Sequence, residues 1–142
     1  MKVHEVMSGR VISVTPEDSA ASAARLLGRH NLGALPVCSE EGRLRGMLTD
    51  RDLATRCLAA NLDPERTAVR EIMSRGILTA TPEEDVKAAA LTMAKGQVRR
   101  MPVVKEGRVV GMLSLGDLAR SQDCRMEASA ALTEISANIR RA

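Results

Sequence analysis

Apolar positions along this chain follow two spacings, and the whole pattern occurs twice. Ala20, Ala23, Ala24 and Leu27 stand at helical spacing, and Val86, Ala89, Ala90 and Met93 repeat them 66 residues later. Each set predicts a helix with one face turned to a core, its alanines allowing close approach to a sheet. Thr15-Pro16-Glu17 and Thr81-Pro82-Glu83 precede these stripes. They read as helix starts, with Thr as N-cap, Pro at the first helical position and acids in the first turn. Glu84 adds a capping-box position in the second copy.

Behind each helix Leu32-Gly33-Ala34-Leu35-Pro36-Val37 and then Val98-Arg99-Arg100-Met101-Pro102-Val103 correspond, each with a proline inside its apolar part. A proline in such a run predicts a strand that begins at an exposed lip. Turn signals follow at Glu41-Gly42 and Glu106-Gly107, and Arg43 to Leu48 and Arg108 to Leu113 return as second strands, making a hairpin in each half. A last helix then opens. Each half reads strand, helix, strand, strand, helix, an α+β architecture.

The repeat extends beyond these elements. Val3-His4-Glu5-Val6-Met7-Ser8 returns as Val69-Arg70-Glu71-Ile72-Met73-Ser74, and Gly46-Met47-Leu48-Thr49-Asp50-Arg51-Asp52-Leu53 returns as Gly111-Met112-Leu113-Ser114-Leu115-Gly116-Asp117-Leu118. The polar turn Asn61-Leu62-Asp63-Pro64-Glu65-Arg66 separates the halves. The reading divides the chain into a first repeat (1–61), a second repeat (62–120) and a C-terminal amphipathic helix (121–142). In that helix Ala128, Leu132, Ile135 and Ile139 share one face, which either lies back on its own domain or meets a dimer or protein partner.

Composition narrows the function classes. The 142 residues contain no Phe, Tyr or Trp, so the core is built from Leu, Val, Ile, Ala and eight Met. Base stacking on aromatic rings is therefore excluded, and nucleic acid is not an expected partner. A net charge of +3 from 21 basic and 18 acidic residues, with the signs interspersed, gives no polyanion-binding field. Cys38, Cys57 and Cys124 form no Cys-x-x-Cys pair, and His4 and His30 lie in no ligand-like cluster. Neither a disulfide framework nor a metal site is expected, and a reducing cytoplasm suits the thiols. No apolar stretch approaches a membrane span.

Chemistry concentrates in the repeated Thr/Ser-x-x-Asp. A strand running into a helix there presents free backbone N–H groups beside a hydroxyl and a carboxylate, a place for an anion. The same pattern is close to a capping box, in which hydroxyl and acid satisfy each other's backbone donors. Both readings stand on the sequence. No nucleophile–base pair and no glycine-rich cofactor loop is present, so an enzyme is not expected.

Taken together, the Thr-Pro-Glu turn, the apolar-Pro-Val strand and the Gly-x-x-Thr/Ser-x-x-Asp motif, each present twice and in order, resemble a tandem pair of cystathionine-β-synthase (CBS) domains, the Bateman module. The resemblance covers Val3 to Arg120, and the wording from His30 to Cys38 with Gly46 to Leu53 is similar to the stand-alone bacterial pairs of hypoxic-response type. It implies two repeats packed about a pseudo-twofold axis, two clefts for adenine nucleotides or adenosyl compounds, and a homodimer. By position, Thr49 and Ser114 would meet phosphate, and Asp52 and Asp117 the ribose hydroxyls. Leu35, Pro36 and Met47, and Met101, Pro102 and Met112, would wall the adenine. Arg99 and Arg100 precede Met101 where the family often places basic residues toward phosphate, whereas the first repeat has Gly33-Ala34. One cleft would then hold anions less well, with Arg51 partly replacing the charge. The expected role is an adenine-nucleotide sensor with no resident cofactor, its ligand AMP, ADP, ATP or S-adenosylmethionine, acting through a dimer or a protein partner. The alternative is a ligand-free interaction protein whose motifs serve only as caps.

Overall fold

The computed structural model describes the backbone of residues 1–121 and 124–141, with side chains as far as residue 137 apart from 122 and 123. The chain forms two compact units, one of residues 12–77 and the other of residues 1–11 with 78–142. These units divide the chain differently from the sequence repeat, because the Val-x-x-Val/Ile-Met-Ser segments are exchanged: residues 1–11 belong with the second half and residues 62–77 with the first.

In the contiguous unit, helix α2 (Ala20–His30) is followed by the antiparallel pair β1 (Ala34–Cys38) and β2 (Leu44–Thr49). A single α-turn, α3 (Asp50–Asp52), then widens into a π-helical stretch, Leu53–Leu58, and a short helix, α4 (Val69–Ile72), closes the unit. The other unit places α1 (Val3–Val6) with α5 (Val86–Gly96), β3 (Arg100–Lys105), β4 (Arg108–Ser114), α6 (Leu115–Arg120) and α7 (Arg125–Arg141). Gln97 and Asn31 end α5 and α2 in left-handed conformation (φ 56° and 53°). Glu106 and Gly107, both at positive φ, turn β3 into β4 in two residues.

The long helices start later than the sequence suggests. Ser19 and Asp85 are the N-caps, their side chains accepting from the amides of Ser22 and Lys87. Thr15 to Asp18 instead forms a closed turn, with the Thr15 amide donating to Asp18 Oδ2 at 2.9 Å. The carbonyls of that turn are spoken for: Asp18 accepts from the Val69 amide at 2.8 Å and Pro16 from the Arg70 amide at 2.9 Å. Glu84 and Pro82 receive the amides of Val3 and His4 in the same way. The Thr-Pro turns thus satisfy the free N–H groups of α4 and α1 and cannot also begin a helix.

The prolines also differ from expectation. Pro36 lies mid-strand and buried, not at an exposed lip. It is tolerated because its neighbours ask only for its carbonyl. The Val14 amide donates to Pro36 O, and Cys38 supplies the returning N–H to Val14 O. On the other side Met47 directs its N–H and C=O to Ser74 at 2.9 and 2.8 Å. Ala80, Pro102, Met112 and Ser8 repeat the arrangement. The first strand of each half is therefore a single parallel bridge, at Val14 and at Ala80, and Ser74 and Ser8 cover the outer edges of β2 and β4.

The cores follow the aliphatic pattern. Leu35, Val37, Leu48, Ile72 and Val69 fill one; Met93, Met101, Val103, Leu113 and Leu118 fill the other. Val86, Ala89, Ala90 and Met93 are all buried on α5, whereas on α2 Ala21 is buried and Ala24 is exposed. The α7 helix lies back on its own unit, against α5 and α6, burying Ala128, Ala131 and Ile135. Leu132 is 45% exposed, and the side chain of Ile139 lies outside the described residues.

Candidate functional site

Each motif is built where a strand ends in a helix. Thr49 closes β2 in extended conformation (φ −113°, ψ 162°), and its hydroxyl accepts from the Asp52 amide at 3.0 Å. Asp52 Oδ2 accepts in return from the Thr49 amide at 3.0 Å. Ser114 and Asp117 repeat this box at 3.0 and 2.9 Å. The first amide of each helix is tied across the hairpin: Asp50 N–H donates to Gly33 O at 3.0 Å and Leu115 N–H to Arg99 O at 2.9 Å.

Both capping boxes are complete, yet they consume only part of each group. Oδ2 does the capping and Oδ1 faces elsewhere. A hydroxyl that accepts one bond still has its proton to donate. Capping and ligand contact therefore use different faces of the same side chains and are compatible, although the sequence set them against each other.

The surroundings of the two carboxylates differ. Asp52 is 7% exposed and accepts from the Ser74 hydroxyl at 3.3 and 3.4 Å, with Arg56 Nε 3.7 Å from Oδ1. Arg56 Nη1 also reaches the carbonyls of Ile72 (3.4 Å) and Met73 (3.2 Å), the last of α4. A guanidinium placed there complements the negative end of that short helix. Asp117 is half-buried, and its Oδ1 accepts from Arg120 Nη2 at 2.5 Å.

The motif glycines are explained by these neighbours. A Cβ on Gly46 would meet Ser74 O at 2.6 Å and Met73 Sδ at 3.0 Å. On Gly111 it would meet Met7 Sδ at 2.5 Å and Ser8 O at 2.9 Å. Only glycine lets the Met-Ser segments approach the strand edges so closely.

The remaining sequence-selected residues divide. Arg100 pairs with Ser114 across the β3–β4 ladder, which puts both side chains on one sheet face, and Arg99 is joined to Leu115 through its carbonyl. Among the described residues neither guanidinium is in an ion pair. In the other unit Ala34 pairs with Thr49, and Gly33 takes the place of Arg99. Arg51 is exposed and, among the described residues, is likewise in no ion pair. Pro36 and Met47 are buried, as is Pro102, and Met112 is half-buried. Leu35 and Met101 have no exposed surface and belong to the cores.

Sequence reading missed Ser74, Arg56 and Arg120. The signal for the arginines was an Arg four residues after one motif Asp and three after the other. For Ser74 it was the repeated Met-Ser itself, noted but given no role. At the end of β1 the Cys38 thiol is buried, and burial pushes its pKa up, opposed by a hydrogen bond with Ser13.

Comparison with known proteins follows the repeat. The family model described as CBS domain matches residues 3–59 and again 69–123. CBS domain-containing protein YhcV of Bacillus subtilis is 42% identical over 134 residues, covering 94% of each chain. Hypoxic response protein 1 of Mycobacterium tuberculosis is 36% identical over 116 residues, 82% of this chain and 81% of that protein. The crystal structure of Hypoxic Response Protein I, with two coordinated zinc ions, superposes with TM-score 0.78 over 84% of this chain and 98% of that one. In this chain no group of three or more His, Cys, Asp or Glu among the described residues is placed to hold a metal ion. The CBS domain pair of protein MJ0100, in complex with 5′-methylthioadenosine and S-adenosyl-L-methionine, is 34% identical with TM-score 0.76, over 84% and 94% of the two chains.

Proposed function

The chain belongs to the CBS-domain family as a tandem pair, a regulatory module, and from that premise we propose that it binds an adenosine-containing small molecule. The carrying observation is that each capping box engages one carboxylate oxygen and leaves the hydroxyl proton free, and that at Ser114–Asp117 the other carboxylate oxygen meets only the exposed Arg120 at a strand end. Vicinal ribose hydroxyls suit such a carboxylate. Beside the Ser114 motif, Arg99 and Arg100 stand without carboxylate partners among the described residues, which suits a phosphate-bearing ligand such as AMP, ADP or ATP. The adenosyl ligands of MJ0100 support the same ligand class and add S-adenosylmethionine to the candidates. No side-chain constellation among the described residues suggests catalysis, and the proposed output runs through a second copy of the chain or a protein partner.

The test is calorimetric titration with AMP and 2′-deoxy-AMP. Hydrogen bonds to a charged group contribute roughly 1.5–3 kcal/mol, so the ribose form should bind about 10–100-fold more tightly. Equal affinity for the two sugars would show that the carboxylates do not read ribose. The second reading, a ligand-free interaction module, is favoured by the completeness of both caps without a ligand. It gains if no adenosine compound raises the melting temperature, since any ligand bound only to the folded state must do so.

A further inference from the structure

We propose that the two motifs have separate tasks: Asp117 receives the ligand's ribose, whereas Asp52 is a brace that fastens residues 72–74 to the helix after β2. This rests on the adenosine reading for its first half and on geometry alone for its second.

The Asp52 carboxylate is nearly saturated. It accepts from the Thr49 amide, and the Ser74 hydroxyl straddles both oxygens. Arg56 Nε approaches Oδ1 while Nη1 is committed to the Ile72 and Met73 carbonyls. A carboxylate has about four lone-pair positions and the Thr49 amide holds one, so two incoming hydroxyls would have to displace Ser74 or Arg56. Evicting Arg56 would also strip the end of α4. Ser74 is itself anchored by two backbone bonds to Met47, so it cannot swing away alone.

At Asp117 the corresponding positions are open. Ser8, the counterpart of Ser74, is exposed and makes no bond to Asp117 among the described residues. The counterpart of Arg56 is Ser121, whose amide bonds to Leu118 O. Arg120 touches the carboxylate, but its side chain is 74% exposed and is bonded to nothing else described. An exposed ion pair of that kind is readily exchanged for ligand or water. The helix differs too. Leu53–Leu58 is wound in the wider π form, with Ala59 N–H reaching back five residues to Ala54 O, while Leu115–Arg120 is an ordinary α-helix. Such local π winding often marks a place where a side chain has been given a particular task.

Asp52→Asn and Asp117→Asn in the full chain make a matched pair, because asparagine keeps an acceptor for the cap and removes the charge. Asp52→Asn should lower the melting temperature by about 5 °C or more and leave the AMP to 2′-deoxy-AMP preference within about twofold of the parent. Asp117→Asn should abolish that preference and shift melting by less than about 2 °C. Ser74→Ala and Arg56→Gln, gentler changes, should reproduce the loss of stability, and Arg56→Gln should add little on top of Asp52→Asn. Loss of sugar discrimination in Asp52→Asn, or unchanged melting in Asp52→Asn and Arg56→Gln, would overturn the assignment. Absence of any nucleotide binding would remove the ribose role of Asp117 together with the functional reading, while the melting contrast and the non-additivity would still establish the brace.

Discussion

Substituting Gly46 by alanine tests how rigidly the strand edge is covered. The backbone angles at Gly46 and Gly111 lie outside the left-handed region, so the added methyl acts through space alone. At Gly46 that methyl would stand 2.6 Å from Ser74 O, a backbone atom. Carbon and oxygen need about 3.4–3.6 Å, so Ser74 must retreat by roughly 0.8–1 Å. The two Met47–Ser74 bonds, now 2.9 and 2.8 Å, would then exceed hydrogen-bonding range. The Ser74–Asp52 contacts at 3.3 and 3.4 Å would go with them. Two backbone bonds at about 1 kcal/mol each and one bond to a charged group at about 1.5–3 kcal/mol give a loss of about 3.5–5 kcal/mol. At about 3–4 °C per kcal/mol, melting should fall by roughly 10–20 °C. Gly111→Ala should cost less, near 1–2 kcal/mol, because its nearest obstacle is the flexible end of Met7. Gly28, helical and with open space for 4 Å around an added methyl, is the control. Gly28→Ala should stabilise by up to about 1 kcal/mol. Calorimetric or circular-dichroism melts of the three variants decide it. Gly46→Ala melting within about 2 °C of the parent, or Gly111→Ala costing more than Gly46→Ala, would refute the steric argument.

Replacing Arg99 and Arg100 together by alanine should weaken AMP and ATP more than adenosine, and the difference should shrink as salt rises; equal loss for all three ligands would make the pair structural. Burial raises the Cys38 thiol above its ordinary 9.0, so the folded state holds its proton where the unfolded chain releases it. That contribution is complete below pH 9.0 and is lost as pH rises through the folded value, a slope that Cys38→Ala should reduce in alkaline urea titrations. Ile135→Ala should cost about 2–4 kcal/mol because the side chain is buried under α7, while Leu132→Ala on the same helix should lie within about 0.5 kcal/mol of the parent.

Much of the fold was legible because both halves obey simple periodicities. The hairpins, the turns at Gly42 and Gly107, and the capping geometry of Thr49 and Ser114 follow from local residue preferences. What escaped was non-local. The start of α2 depends on whether the carbonyls of Pro16 and Asp18 are claimed by Arg70 and Val69, more than fifty positions away. Pro36 looks like an edge residue until its partners are known to need only its carbonyl. Ala24 fits the helical stripe but faces solvent, since the stripe was drawn to one side of the buried Ala21. At the motif, residue types announced the cap. The unlike neighbours of the two carboxylates depended on a winding change after Asp52 and on a serine twenty-two residues downstream.

The exchanged segments set a timetable for synthesis. Residues 12–77 carry every strand partner they need, so their hairpin can receive its edge as soon as Ser74 has left the ribosome. Ser8 is made before any of them, yet its partner is Met112. At about 5–20 residues per second the first segment waits roughly 5–20 s for the strand it will cover. During that interval Val3, Val6 and Met7 have no seat in their own unit. The order of emergence thus makes residues 3–8, translated ahead of the contiguous unit, settle after it, and a stall anywhere before β4 leaves that segment without its strand.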